Sequence, residues 1–409
     1  MSEKTTWVER KVGDCLLSIS FRSKNQIQAR EYKLAGQFPV IDQGQSQIAG
    51  RTDDESSVIS SPLPLVIFGD HTRALKFIDF PFARGGDGTQ VLVPVSNLDC
   101  QFFFYACKHI DVPARGYNRH FTLLRESAFF CPENTVIQRE IGQFLRLIDD
   151  AIDQEAAHLV LAIEIKQVTM NELFSNGLRG EAQKETEIGL IPKSWDVVQL
   201  GQTCALSTGT TPATKNKSYY DGDVPFIKTG DVVNNRIGIA NTFLSHEAVA
   251  DYGLKLFPPG TLLMAMYGQG KTRGQVSLLE IAATTTQNAA AIQPFNEMNS
   301  AFLWHYLMSS YERLRGMGSL GHVSHLNLGY LRDLLVIKPP LDEQREIAEI
   351  LDGIDCKIKL HQQKKLILDE LFNSLLHKLM TGEISVDDLD LSALAPEEPQ
   401  PKTEAEVQP

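Results

Sequence analysis

The chain holds no apolar run as long as the roughly 18 residues that a membrane-spanning helix needs, so no membrane span is expected. Its start, MSEKTTWVERK, lacks the apolar stretch of a secretory signal. Cysteine is sparse. The six, at 15, 100, 107, 131, 204 and 356, form no CxxC pair and no Cys/His cluster with zinc spacing, which points to free thiols in a reducing cytoplasm. No GxxxxGK[ST] loop exists for a nucleotide, and GGDG at 85–88 reads as a tight turn. An adenine methyltransferase needs a [DN]PP[YF] loop and a cofactor glycine motif. The proline pairs here stand in FPPG (257–260) and KPPL (338–341) instead. No D…ExK nuclease pattern occurs, since Asp231 and Glu280 stand singly, and His322 with His325 lacks a third metal ligand. The expectation is a non-catalytic binding protein with no cofactor and no metal.

What is present is a long helix near the end. Pro339-Pro340 stops the preceding segment, and no proline follows before Gly382. Ile347, Leu351, Ile354 and Ile358, then Leu368, Leu371 and Leu375, recur at spacings of 3 and 4, one apolar stripe on a helix. Some 40 residues at about 1.5 Å each make a rod roughly 60 Å long. Such a stripe needs a partner helix of similar length. The same chain supplies one: QREIGQFLRLIDDAI (138–152) repeats as QREIAEILDGIDCKI (344–358). Glu172-Leu173-Phe174 recurs as Glu370-Leu371-Phe372, and Gly180-Glu181 as Gly382-Glu383, with an insertion or deletion implied between these blocks.

The repeat continues outside the helices. Trp7 with Gly13 matches Trp195 with Gly201. Pro39-Val40-Ile41 matches Pro225-Phe226-Ile227, Thr72-Arg73 matches Thr272-Arg273, and Gly116 with His120 matches Gly321 with His325. Their common order implies a duplication. The expected fold is α+β: two pseudo-repeated α/β globular domains separated by two long helices packed as an antiparallel coiled coil. The expected parts are a first globular domain at 1–131, a central helix at 132–180, a linker at 181–190, a second globular domain at 191–339, a C-terminal helix at 340–384 and a disordered acidic tail at 385–409.

Net charge is −12, which argues at first against a polyanionic partner. Its distribution reverses the argument. Residues 1–131 carry +1 and 191–339 carry +2, whereas 132–190 carry −6 and 340–409 carry −9. The globular parts are slightly basic, and the helices and tail hold the acid. An abundance of Glu and Asp in helices accounts for the same pattern equally well.

In the first globular part, 38–45, 64–70, 74–80 and 90–95 read as short strands between turn residues, and 101–110 as a strand or a short buried helix, with the helix favoured. Glu133 is expected in the first turn of the central helix and Gly177 at its end. In the second part, 207–217 reads as a polar loop, 261–281 as strand, glycine loop and strand, and 283–294 as strand-like, with Gln287-Asn288 within it either a contact pair or a buried hydrogen-bonded pair. Residues 301–317 read as an amphipathic helix and 318–331 as a polar loop.

The two QREI helix starts, the helix ends LFSNGLRGE and LLHKLMTGE, and the segment ETEIGLIPKSWDVVQLGQ resemble the specificity subunits of Type I restriction-modification systems. STGTTP…VPFIKTGD and MYGQGKTRG…TTTQNAA are similar to that family's target recognition segments. The resemblance covers about residues 1–385, and the first globular part has no counterpart of STGTTP. It implies two target recognition domains, each reading half of a bipartite site in double-stranded DNA. It also implies helices that set the spacer and dock two modification (methyltransferase) subunits and, through them, the restriction subunits. The chain itself would be a cytoplasmic, non-catalytic specificity subunit.

Loop chemistry nominates contacts. For phosphate, the second domain offers Lys215, Lys217, Lys228, Lys271 and Arg273, and the first offers Arg51, Arg73, Lys76, Arg84, Arg115 and Arg119. For base edges, Gln269, Arg273, Asn234, Asn235 and His322 stand in the second domain, and Gln43, Gln45, His71 and Arg73 in the first. Each reads equally as a solvated loop residue. Two other classes remain open: a two-headed protein-binding adaptor with a coiled-coil rod, and an orphan methyltransferase.

Overall fold

The structure, a computed structural model, describes residues 6–19, 21, 26–114, 116, 119–268, 271–317 and 326–389. The chain forms two compact units, one holding residues up to 156 and from 363 on, the other 157–362. The boundary falls inside the two long helices, Thr135–Asn176 and Leu341–Thr381. Asn134 caps the first of these: its Oδ1 accepts the Val136 N–H at 2.8 Å. Glu133 therefore stands ahead of the helix, not in its first turn as expected. Gly177 ends it at φ +64°, the left-handed conformation that glycine adopts without a Cβ clash.

Within each unit the helices pack antiparallel, as their stripes require. In the first unit, Ile141, Phe144, Leu145 and Ile148 share a core with Phe372, Leu375, Leu376, Leu379 and Met380. In the second, Met170, Leu173 and Phe174 share one with Ile347, Ala348 and Leu351.

The first unit's globular part holds a four-stranded sheet with neighbours in the order Gly50–Thr52, Phe38–Ile41, Phe82–Arg84, Val58–Ile59. A three-stranded sheet runs Leu75–Ile78, Leu65–Gly69, Thr89–Leu92. Residues 100–109 form the expected buried helix, Cys100–His109. The second unit carries a five-stranded sheet, in the order Cys204–Thr208, Ala289–Pro294, Leu262–Ala265, Val276–Leu279, Arg236–Ile237, and a three-stranded sheet around Val224–Ile227. Several expectations change here. The polar linker contains a hairpin, Gln183–Thr186 with Gly189–Pro192, whose two-residue turn is Glu187-Ile188 and whose second strand opens on Gly189 at φ +111°. Residues 301–317 break at Ser310 into two helices, and the first, Ser300–Ser309, is not amphipathic: Phe302 through Leu307 are all buried. The polar loop at 318–331 ends in a helix, Leu328–Asp333, and its residues 318–325 lie outside the described set. Of the tail, 386–388 form a 3-10 turn, and 390–409 lie outside the described set.

The duplication is clearest where each globular part meets a long helix. Trp7–Lys11 pairs antiparallel with Ala128–Pro132, and Asp196–Gln199 with Leu335–Lys338. Gln138 and Gln344 are wholly buried. Gln138 Oε1 accepts the Asp99 N–H at 2.8 Å, and its amide donates to the Pro132 carbonyl at 2.7 Å. Gln344 repeats this with Asn299 N–H and the Pro339 carbonyl, both at 2.8 Å. Asp99 and Asn299 in turn cap the helices that follow them. The far helix ends correct the sequence alignment. A Cβ on Gly177 would lie 2.9 Å from the Trp195 ring, and one on Gly382 would lie 3.0 Å from the Trp7 ring. The equivalent of Gly382 is thus Gly177, not Gly180. The glycine follows the buried glutamine by 39 positions in one helix and by 38 in the other, so no large insertion separates them.

Candidate nucleic-acid interface

In the second unit, three threonine-rich loops are bonded together. The strand Cys204–Thr208 leads into Gly209, whose N–H donates to the Thr286 carbonyl at 3.2 Å. A Cβ on Gly209 would fall 1.8 Å from the Thr285 carbonyl oxygen, so only glycine passes here. The Thr211 hydroxyl donates to Gln287 Oε1 at 2.6 Å, and the Thr229 and Thr286 hydroxyls meet at 3.0 Å. Lys215, Lys217 and Lys228 are exposed on these loops. Gln287 and Asn288 occupy a turn between two strands, not a buried strand pair, and Gln287 is exposed. Its neighbour Asn288 accepts the Met266 N–H at 3.0 Å, which sets the glycine-rich loop beside this turn.

The glycine-rich loop is anchored at its far end. Tyr311 Oη donates to the Lys271 carbonyl, and the Arg273 guanidinium donates to the Arg315 carbonyl at 3.2 Å. Lys271 itself is exposed. Gln269 and His322 lie outside the described residues. Asn234 and Asn235 serve the backbone: Asn234, at φ +59°, accepts the Val276 N–H at 2.9 Å, and Asn235 accepts the Ser277 hydroxyl at 2.5 Å. Their side-chain oxygens are engaged by the strand Val276–Leu279.

In the first unit the loops at 42–45, 70–73 and 85–88 converge. Thr72 Oγ1 donates to the Gln43 carbonyl, the His71 N–H donates to Gln43 Oε1 at 3.2 Å, and the Asp70 N–H donates to the Gly88 carbonyl at 2.8 Å. Gln45 and Arg73 line one shallow depression, and Arg73 donates to the Val112 carbonyl at 2.7 Å. Arg51 is half-buried and donates to the Gly36 carbonyl at 3.1 Å. Arg84 is half-buried at a strand end, where burial lowers its pKa and the Asp87 charge opposes this. Arg119 is exposed, 3.9 Å from the Asp70 carboxylate, and Arg115 lies outside the described residues. Lys76 departs from its nomination. It is 3% exposed and donates to the Asp42 carbonyl at 2.8 Å, so its ammonium holds the loop from within. Burial lowers its pKa, opposed by the Asp42 carboxylate.

Beneath the second unit's globular part lies a charged cluster. The Arg236 guanidinium sits over the Trp304 ring, 4.9 Å from its centre, and bonds Asp352 at 2.5 Å. His305 is wholly buried, with Nε2 2.8 Å from Asp352 Oδ1 and Nδ1 without a partner. Protonation of both nitrogens would strand a buried N–H, so the ring is neutral with its proton on Nε2. Burial lowers the His305 pKa against the pull of Asp352. Burial alone would raise Asp352, but hydrogen bonds from His305 and Arg236 outweigh it and hold the carboxyl below its usual range. His305, Asp352 and Asp355 bring ligand atoms within 4.8 Å of one another. Arg236 and Lys166 already neutralise those carboxylates, at 2.5 Å each. Among the described residues no helix is long and apolar enough to cross a membrane.

Sequence reasoning passed over Thr211, Thr229 and Thr286 as contact-builders and left Gln287 open between a contact and a buried pair. Their signal was the run of threonines in TGTTP, KTGD and TTTQN, which carry no charge.

Residues 192–369 match the family model described as the Type I restriction modification DNA specificity domain. The MjaIX specificity subunit of Methanocaldococcus jannaschii is 30% identical over 207 residues, 49% of this chain and 47% of that protein, so the chain spans about half the length of that relative. The EcoR124I/EcoR124II specificity subunit of Escherichia coli is 23% identical over 350 residues, 81% of this chain and 83% of that one. In fold, the crystal structure of a Type I restriction-modification S subunit from M. genitalium aligns with a TM-score of 0.65 at 15% identity, covering 93% of this chain and 97% of that one. Over residues 192–369 the chain is thus similar to the DNA specificity domain of Type I restriction-modification systems, and over most of its length its fold is similar to that of an S subunit.

Proposed function

We propose that the chain is the non-catalytic DNA-recognition subunit of a Type I restriction-modification complex. Its two globular parts, 1–131 and 191–339, act as target recognition domains, each reading one half of a bipartite site in double-stranded DNA. The single observation that carries this is the second unit's bonded loop surface. Thr211–Gln287 and Thr229–Thr286 fix three loops whose exposed lysines 215, 217 and 228 suit phosphate, and the exposed Gln287 among them suits a base edge. In the first unit, Gln43, Gln45, His71 and Arg73 take the base-facing role, with Arg51 and Arg84 held closer to the fold. In the second, Lys271 and Arg273 extend the contact through the glycine loop.

The long helices dock two modification subunits, which supply the methyl-transfer chemistry, and through them the restriction subunits, in the cytoplasm. Supporting this, the helices expose apolar side chains beyond what a solvated face needs: Val160, Leu161, Ile163 and Val168 on the first, and Leu360, Leu366 and Ile367 on the second, all at least half exposed.

Methylome mapping of cells carrying this chain with its modification subunits tests the reading. The expected result is one bipartite motif, and replacing 191–339 by another such domain should change one half only. Change in both halves, or no motif, refutes it. Duplex binding by the assembled complex should weaken steeply with salt through counterion release. Binding flat in salt and indifferent to sequence favours the protein-binding adaptor instead.

A further inference from the structure

The long helices pack through apolar side chains toward their ends but through charge farther in. In the first unit, Glu155, with its side chain 6% exposed, accepts from Lys364 Nζ at 2.6 Å. In the second unit, Lys166, 16% exposed, donates to Asp355 at 2.5 Å, and its ammonium lies 5.7 Å from the centre of the Trp304 ring. Each helix thus carries an acid followed by a base, and antiparallel pairing matches acid to base at both places.

The apolar stripes alone do not choose a register. A slide by one turn, about 3.6 residues, still sets the apolar stripe of one helix against that of the other. The charges do choose. A slide of one turn in either sense brings Leu360 or Leu368 opposite Glu155 and takes the Lys364 ammonium away from a carboxylate more than nine-tenths buried. Polar residues inside an otherwise apolar helix seam are the established means of fixing register at some cost in stability.

The placement is also not a relic of the duplication. By the offset that relates Gln138 to Gln344, the repeat image of the Glu155–Lys364 pair is His361 with His158. Those two rings lie 5.4 Å apart with no ion pair between them. The ion pair occupies one copy of the position only.

We infer that Glu155–Lys364 and Lys166–Asp355 are positioning pairs that select the register of the helix pairing and, through it, the spacer length the assembled complex accepts. The spacer part rests on the function proposed above.

The test uses the full chain and the assembled complex, with Glu155→Lys, Lys364→Glu and the double reversal, and Glu155→Gln as the variant that keeps the side chain's shape. The first readout is thermal unfolding of the full chain, which needs no DNA. Each single reversal should lower the folding constant about tenfold, and the double reversal should regain most of it. The second is methylation of a library of sites with randomised spacers. The single variants and Glu155→Gln should broaden or shift the accepted spacer while leaving the half-site bases unchanged, and the double reversal should restore the original spacer. Additive unfolding effects, with no coupling, overturn the register claim. An identical spacer profile for every variant overturns the spacer claim even if coupling is present. If the unaltered complex methylates no bipartite site, the functional reading fails while the coupling still decides the register claim by itself.

Discussion

Glu343 offers the sharpest test of how the second unit is joined. Its carboxylate is 2% exposed and accepts two hydrogen bonds, from the Trp195 indole N–H at 2.9 Å and from the Leu178 N–H at 2.7 Å. One carboxylate thus ties the start of the second globular part, the end of the first long helix and the beginning of the second. Glu343→Ala leaves both donors buried without partners, at about 1–3 kcal/mol each. Losing the carboxylate also removes its own dehydration cost, which offsets part of the loss. A net destabilisation of about 3 kcal/mol follows. At roughly 2–4 °C per kcal/mol for a unit of this size, the unit should melt about 10 °C lower. Glu343→Gln keeps one accepting oxygen but sets an amide N–H₂ against a donor, and should lose about half as much. Thermal unfolding followed by tryptophan fluorescence suits the question, because Trp195 and Trp304 both lie in this unit. A Glu343→Ala transition within about 2 °C of the unaltered protein would refute the argument, showing that water replaces the carboxylate without loss.

Three further outcomes are expected. Lys215→Ala, Lys217→Ala and Lys228→Ala in the assembled complex should each weaken DNA binding about evenly across sequences and reduce the salt slope by about one, read from binding titrations at several salt concentrations. Gly209→Ala forces a Cβ onto the Thr285 carbonyl, so it should abolish recognition of one half-site while sparing the other, as read by methylation of sites mutated in each half. His305 has a lowered pKa, so the unfolded chain takes up its proton first as pH falls below the ordinary imidazole value near 6.5. Its contribution to stability is therefore present at neutral pH and lost on acidification. The Asp352 contribution is lost only at lower pH, since its pKa lies below the carboxylate range. His305→Gln should flatten the melting temperature of the second unit between neutral and mildly acidic pH, and an unchanged slope would count against a neutral buried imidazole.

The long helices were legible because 3.6-residue periodicity survives over forty residues and no proline interrupts it. The duplication was legible because Trp7 and Trp195, with Gln138 and Gln344, keep their order. These turn out to be joints, where burial and hydrogen bonding leave little freedom to change. The alignment of the helix ends went astray because Gly180-Glu181 repeats Gly382-Glu383 in letters, whereas the constraint is a glycine under a tryptophan ring, met by Gly177. The contact surface was harder to read. Lys76 carries a charge like any loop lysine, and only the fold turns it inward onto Asp42. The Thr211, Thr229 and Thr286 hydroxyls join loops far apart in sequence, and no local pattern announces such pairings.

The first unit is discontinuous, and this has a consequence for synthesis. A polypeptide leaves the ribosome from its N-terminus, yet the core around Phe102, Tyr105, Ile141 and Leu145 is closed by Phe372, Leu376 and Leu379, which emerge only after the second unit. The half translated first is thus the half completed last. Its oily inner face stays uncovered while the continuous second unit is being made, which makes the nascent chain a natural client for chaperones.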